Sequence, residues 1–279
     1  MNRIKEMNEL TVEQLQQKAA QLRRDVAAMI GPGRTGHLGG ACSLADIVTV
    51  LYYKLMRHRP EEPRWPERDR FILSKGHGAL IQYAALGDMG YYPKEEQKTL
   101  KDLGSRLQGH PDMLKLPGVE ANTGSLGQGL SIAAGLAAGL RLDGKDSRVF
   151  CCVGDGEMAE GQIWEAAMAA AAFGLDNLIA IVDINGLQAT GSIQERFDTR
   201  PYQPKWEAFG WHTIELDGHD IQAIIDAFEK AFQVKGKPVA LLAKTVKGKG
   251  FAFAENNAAF HNGTMTQEQF DMAMAGGAQ

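Results

Sequence analysis

Cysteine is nearly absent from this chain. The three present, Cys42, Cys151 and Cys152, are an odd number, and two are adjacent inside an apolar run. That argues against a disulfide framework and for reduced core residues in a cytoplasmic protein. Charge of one sign is also lacking: 30 Lys and Arg stand against 34 Asp and Glu, a net charge of −4. A strongly basic face for nucleic acid or an anionic membrane is therefore not expected. Long hydrophobic runs are missing too. The opening Met1-Asn-Arg-Ile-Lys-Glu6 has no apolar signal core, and the most apolar helical stretch, residues 130–140, is too short to cross a bilayer. We find no internal repeat, no low-complexity block and no linker that would divide the chain. With 279 residues, 44% of them hydrophobic, it is long enough to bury a full core. Residues 1–279 are expected to form a single domain, with a frayed tail at 265–279.

Glycine, by contrast, is plentiful: 32 residues, clustered in loops beside histidines. Such loops let backbone approach a ligand closely. Between them, hydrophobic segments alternate in kind. Arg70-Phe-Ile-Leu-Ser74, Arg148-Val-Phe-Cys-Cys-Val153, Leu178-Ile-Ala-Ile-Val-Asp183, Trp211-His-Thr-Ile-Glu-Leu216 and Pro238-Val-Ala-Leu-Leu-Ala243 read as strands. Helices are expected after Thr11, whose Thr-Val-Glu-Gln14 is a capping box with Leu10 as its staple residue, from Ser43 to about Met56, over 79–86, from 129 to 140, over 160–173, and from Asp220 to 234. Residues 34–40 look too glycine-rich to be an element. The sum is an α/β fold with a mostly parallel sheet and helices on both faces.

The organising motif is Gly154-Asp155-Gly156-Glu157 after one strand, with Asp183-Ile-Asn185-Gly-Leu187 ending the next. Parallel strands end on one sheet edge, so Asp155 and Asn185 should meet there, where open α/β sheets bind ligands. A carboxylate and an amide oxygen suit a hard cation, Mg²⁺ or Ca²⁺, and flanking glycines suit phosphate. A tight turn capped by Asp would explain Gly-Asp-Gly by itself; the strand context and Asn185 favour the metal.

Four of seven histidines reinforce this. His37, His77 and His110 each follow a glycine directly, and His261 precedes Gly263 by two residues. Their spacings are not those of a zinc site. Neutral imidazoles that bind hydroxyls or shuttle protons fit better. His58, His212 and His219 sit in ordinary polar or strand contexts.

These motifs, in this order, resemble the N-terminal part of transketolase: Gly36-His37-Leu-Gly-Gly40, Ser74-Lys-Gly-His77, Gln108-Gly-His110-Pro-Asp112, Thr123-Gly-Ser-Leu-Gly-Gln-Gly129, Gly154-Asp-Gly156 through Asn185, Gly210-Trp-His-Thr-Ile-Glu-Leu-Asp-Gly-His-Asp220 and His261. The resemblance implies the diphosphate-binding domain of a thiamine diphosphate fold. It implies that Asp155, Asn185 and the Leu187 carbonyl hold the metal. Gly156, His77 and His261 would contact the cofactor phosphates, with Asn185 also at the cofactor, and Gly124 and Leu126 would lie against it. His37, His110 and His261 would line the substrate channel. Glu160 matches a carboxylate of an acidic cluster between paired sites, or is simply a charge in a helix's first turn. Ser125 replaces a frequent proline. Lys244, Lys247 and Lys249 are more basic than the family pattern; they could help screen a diphosphate, and a solvated loop is the preferred reading.

In similar full-length enzymes a pyrimidine-binding domain and a third domain follow, carrying the glutamate that activates the cofactor. The expectation is therefore an N-terminal subunit of a two-chain transketolase, moving a two-carbon ketol unit between sugars or sugar phosphates. It would be active only with a partner carrying the other two domains, as two copies of each chain. The alternatives are the α subunit of a 2-oxo-acid dehydrogenase's decarboxylating component, which shares Gly-Asp-Gly and Asn, and a non-catalytic cofactor-binding protein.

Overall fold

Five strands make one parallel sheet in the computed structural model, which describes residues 10–276. They are β1 (Arg70–Leu73), β2 (Val149–Gly154), β3 (Leu178–Ile184), β4 (His212–Asp217) and β5 (Val239–Lys244), in the order β1-β2-β3-β5-β4. All six residues of β2 are buried. That is why it reads as an unbroken apolar run: a parallel sheet covered on both faces has no polar side. Edge strand β4 differs, with His212, Glu215 and Asp217 exposed along it, charges that discourage pairing with another chain.

Alternate residues of β1, β2, β3 and β5 feed opposite cores. Phe150 and Cys152 join the side covered by α1 (Val12–Ile30), α2 (Ala45–Val50), α3 (Ala79–Met89) and α6 (Ile221–Gln233). Val149, Cys151 and Val153 join the side covered by α4 (Gln128–Leu142) and α5 (Gly161–Ala172). The expected α/β layering is what is found. Helix α1 begins at the Thr11–Gln14 capping box and buries Leu15, Ala19, Leu22 and Val26 at helical spacing. All three cysteines are free and buried. Among the described residues no helix is long and apolar enough to cross a membrane. Residues 1–6, whose polarity argued against a signal core, lie outside the described residues.

Three local expectations need correction. The loop at 34–40 runs into a short helix, Leu38–Cys42, all of it buried. Burial of Leu38, Ala41 and Cys42 outweighs the poor helix propensity of Gly39 and Gly40. The helix expected to reach Met56 is α-helical only to Val50, then widens to a π-helix over Leu51–Leu55. The frayed tail is instead helix α7 (Gln267–Met274), started by a Thr266–Gln269 capping box and anchored by buried Met265 and Ala273. Only residues 277–279 of that tail lie outside the described residues. Far apart in sequence, Thr35–Gly36 pairs antiparallel with Gly263–Thr264, joining the two ends of the fold beside the sheet's carboxyl edge.

Candidate cofactor site

The carboxyl ends of β1, β2, β3 and β5 converge on one cleft. Its walls include Asp155, Gly156, Asn185, Leu187, His77, His261 and Leu126. Register explains the first pair: Gly154 of β2 lies beside Asp183 of β3, so the residues just beyond them are neighbours. Asp155 is 2% exposed. Its carboxylate accepts the Gly156 N–H at 2.8 Å and the Gly186 N–H at 2.6 Å. Among the described residues no cation pairs with it. Burial, and then the negative charge of Asp183, push its carboxyl up to about 6.

Asn185 is oriented from below. Its Nδ2 donates to Asp183 Oδ2 at 3.0 Å, leaving Oδ1 to accept the Leu187 N–H at 3.1 Å. Asp183 is fully buried and also accepts from Ser43 Oγ at 2.7 Å, from Thr245 Oγ1 and from the Lys75 ammonium. Burial alone would lower the Lys75 ammonium and raise the Asp183 carboxyl. Each is overridden by the other's charge, so Lys75 titrates above and Asp183 below its ordinary range.

The four glycine-flanked histidines come together. Ring centroids are 4.8 Å apart for His77 and His261, 5.4 Å for His37 and His77, 5.5 Å for His37 and His261, and 6.2 Å for His37 and His110. Burial, then Lys101, lowers His37 to about 4; burial, then Lys247, lowers His261 to about 4. His77 is lowered further by burial and Lys75, and His110, more exposed, is lowered by burial and Lys101. At neutral pH these are uncharged rings, each with one donor and one acceptor nitrogen. Gly124 is needed beside them: its φ is +141°, and a Cβ there would stand 2.7 Å from the His110 ring. Glu160, exposed at the start of α5, makes no capping hydrogen bond.

Glu157, Lys247 and Lys101 also matter here and were not among the site residues expected from the sequence. Glu157 is buried and ties three loops together: it accepts from Ser74 Oγ, from Gly127 N–H at 2.9 Å and from Gly154 N–H at 3.0 Å. Lys247 is 2% exposed, which corrects the solvated-loop reading for that lysine. Its Nζ donates to the Leu187 carbonyl at 2.9 Å and lies 2.9 Å from His261 Nδ1. Burial and Lys75 lower it to about 8. Lys101, held at a φ of +62°, donates to the Thr35 carbonyl at 2.9 Å at the outer end of the histidine cluster.

The thiamine diphosphate binding domain of transketolase matches residues 15–275. This chain belongs to the transketolase family. It is 44% identical over 261 residues to the 6-deoxy-6-sulfo-D-fructose transketolase subunit SqwG of Clostridium sp. (strain MSTE9), covering 94% of this chain and 95% of that one. It is 38% identical over 265 residues to an apulose-4-phosphate transketolase subunit of Phocaeicola vulgatus, covering 95% and 94%. The transketolase structure from Leishmania mexicana superposes with a TM-score of 0.90 at 32% identity, covering 95% of this chain and 41% of that one. This chain thus spans nearly the whole of the two bacterial subunits and about two fifths of the longer transketolase.

Proposed function

We propose that this transketolase chain is the diphosphate-binding subunit of a two-chain enzyme that transfers a two-carbon ketol unit from a ketose to an aldose. One observation carries the reading of the site. Among the described residues, a buried carboxylate without a cation, Asp155, and a buried ammonium without a carboxylate, Lys247, face the same cleft. Unpaired buried charges are costly, and a metal-bound diphosphate would neutralise both. The donor set fits: one carboxylate, the Asn185 amide oxygen and the Leu187 carbonyl are the hard oxygens that Mg²⁺ or Ca²⁺ prefers. Lys247 occupies the Leu187 carbonyl here and would yield it to the metal and turn to phosphate. Gly156, His77 and His261 would contact the phosphates, and Gly124 and Leu126 would lie against the cofactor.

Bound thiamine diphosphate supplies the carbanion chemistry of ketol transfer. The chain's own residues would bind, orient and exclude water. Neutral His37, His110 and His261 would hydrogen-bond sugar hydroxyls and pass protons between them. Lys101 would face the anionic end of a sugar. The two bacterial relatives that this chain nearly spans are named for a sulfonated and a phosphorylated sugar, so an anionic terminus suits their substrates. The partner would carry the pyrimidine-binding domain, and Glu160 with the exposed Met168 and Phe173 of the α5 segment would face a second copy. A cytoplasmic location, in keeping with three free cysteines, completes the reading. The match to transketolase disfavours the 2-oxo-acid dehydrogenase alternative, and the three channel histidines His37, His110 and His261 disfavour a pure binding role.

The test is reconstitution. The chain mixed with a candidate partner, thiamine diphosphate and Mg²⁺ should release an aldose from a ketose phosphate or sulfonate and lengthen an added aldose. Full ketol transfer by this chain without a partner would overturn the two-chain reading.

A further inference from the structure

Behind the cleft lies a buried polar network with no role in the proposed reaction. Asp46 of α2 is 5% exposed and sits between Arg23 of α1 and His219, in the turn after β4. Arg23 Nη1 donates to Asp46 Oδ1 at 3.2 Å, Nη2 reaches Oδ2, and Nε donates to the Cys42 carbonyl at 3.4 Å. His219 Nδ1 lies 2.7 Å from Asp46 Oδ2, and His219 Nε2 accepts the backbone N–H of Val246 at 2.8 Å. A backbone N–H can only donate, so the ring proton is on Nδ1 and is given to Asp46. The chain Arg23–Asp46–His219 therefore ends on the residue directly before Lys247.

Other contacts dock the same turn onto the same loop. Gly218 N–H donates to the Lys244 carbonyl at 2.8 Å. A Cβ on Gly218 would stand 2.5 Å from Thr245 Cγ2, so only glycine allows this approach. On the cleft side Thr245 Oγ1 holds Asp183, and Gly248 N–H donates to the Gly39 carbonyl at 3.0 Å. Between these anchors, among the described residues, the one side-chain hold on the Val246 backbone is His219. A lysine ends in a point charge on a flexible four-carbon stem, so its ammonium is only as well placed as the backbone beneath it.

We infer that His219, oriented by Asp46 and Arg23, is a positioning residue that fixes loop 245–247 so that the Lys247 ammonium meets the diphosphate; this rests on the proposed diphosphate site. His219 touches neither cofactor nor substrate and acts through Lys247.

The experiment measures calorimetric affinity of the chain for inorganic pyrophosphate with Mg²⁺, so it does not depend on the partner or on turnover. His219→Ala should weaken binding about tenfold, the scale seen when outer partners of metal ligands are removed. Lys247→Met should weaken it at least as much, and adding His219→Ala to Lys247→Met should change it less than about twofold. His219→Gln, whose amide oxygen can accept the Val246 N–H, should recover most of the affinity. Additive losses in the double variant, as expected of a merely structural residue, or wild-type affinity in His219→Ala, would overturn the inference. If His219→Ala does not fold, Asp46→Asn carries the same test: it should weaken binding when Lys247 is present and not in the Lys247→Met background, and equal losses in both would refute the link. Asp155→Asn separates the two levels of the argument. It should abolish Mg²⁺-dependent pyrophosphate binding, and wild-type affinity there would overturn the diphosphate site and the inference with it.

Discussion

Replacing Lys75 with methionine should destabilise the protein strongly, although almost none of its side chain is exposed. Lys75 and Asp183 are an ion pair with side-chain exposures of 3% and 0%. Removing one member of such a pair strands the other charge in a dry interior, typically a loss of about 3–5 kcal/mol. In Lys75→Met the stranded group is Asp183, which keeps Ser43, Asn185 and Thr245 as donors. The loss should fall near the lower end, about 3 kcal/mol. In Asp183→Asn the stranded group is the Lys75 ammonium, left with only neutral acceptors, the Gly40 carbonyl at 2.9 Å and the new amide oxygen, and the loss should be nearer to about 5 kcal/mol. Urea titration followed by circular dichroism would read both as lower midpoints at unchanged slope. Thermal midpoints should fall by roughly 2–4 °C per kcal/mol in a chain of this size. A loss under about 1 kcal/mol, the worth of an exposed pair, would refute the claim that this pair is dry. The reverse order of the two variants would refute the comparison of their remaining partners.

Acid should weaken the protein through its histidines. A base whose folded value is lowered binds more protons when unfolded, so stability is complete above the ordinary histidine value of 6.5 and is lost as pH falls from there towards the folded values of about 4 for His37 and His261. Proton NMR titration of the free chain should place both midpoints well under 6.5, and ordinary midpoints would refute it. Two alanine substitutions on α4 should differ in sign. Gly129→Ala would put a Cβ 2.5 Å from Ser74 Cβ and Oγ, disturbing the Ser74–Glu157 tie, and should lose about 1–3 kcal/mol. Gly135→Ala meets nothing within 4 Å and should gain about 0.5–1 kcal/mol in the same denaturation assay.

Much of the site was legible because its signals are local. Gly-Asp-Gly after a buried strand, and glycines before His37, His77 and His110, need only short windows to read. What escaped has a common cause. Lys75, Glu157 and Lys247 are charged, and charge reads as surface unless the partner is known. Their partners, Asp183, Ser74 and Leu187, lie 60 or more residues away, and only the closing of the sheet brings them together. The tail was misread for another reason. The Gly-Gly end masked the Thr266–Gln269 capping box, and nothing local announces that Met265 and Ala273 will find the core. The fold class itself followed from alternation of apolar strands with helices, and strand ends differed from expectation by a residue or so.

The small ladder between Thr35–Gly36 and Gly263–Thr264 has a consequence for the history of each molecule. Thr35 and Thr264 are separated by 229 positions, and the histidine cluster straddles the same gap, with His37 on one side and His261 on the other. Synthesis runs from the amino end, so the segment that carries His261 is made after the other three imidazoles and after Asp155 and Asn185. The proposed diphosphate site therefore lacks Lys247 and His261 until residues 247–264 have joined the fold.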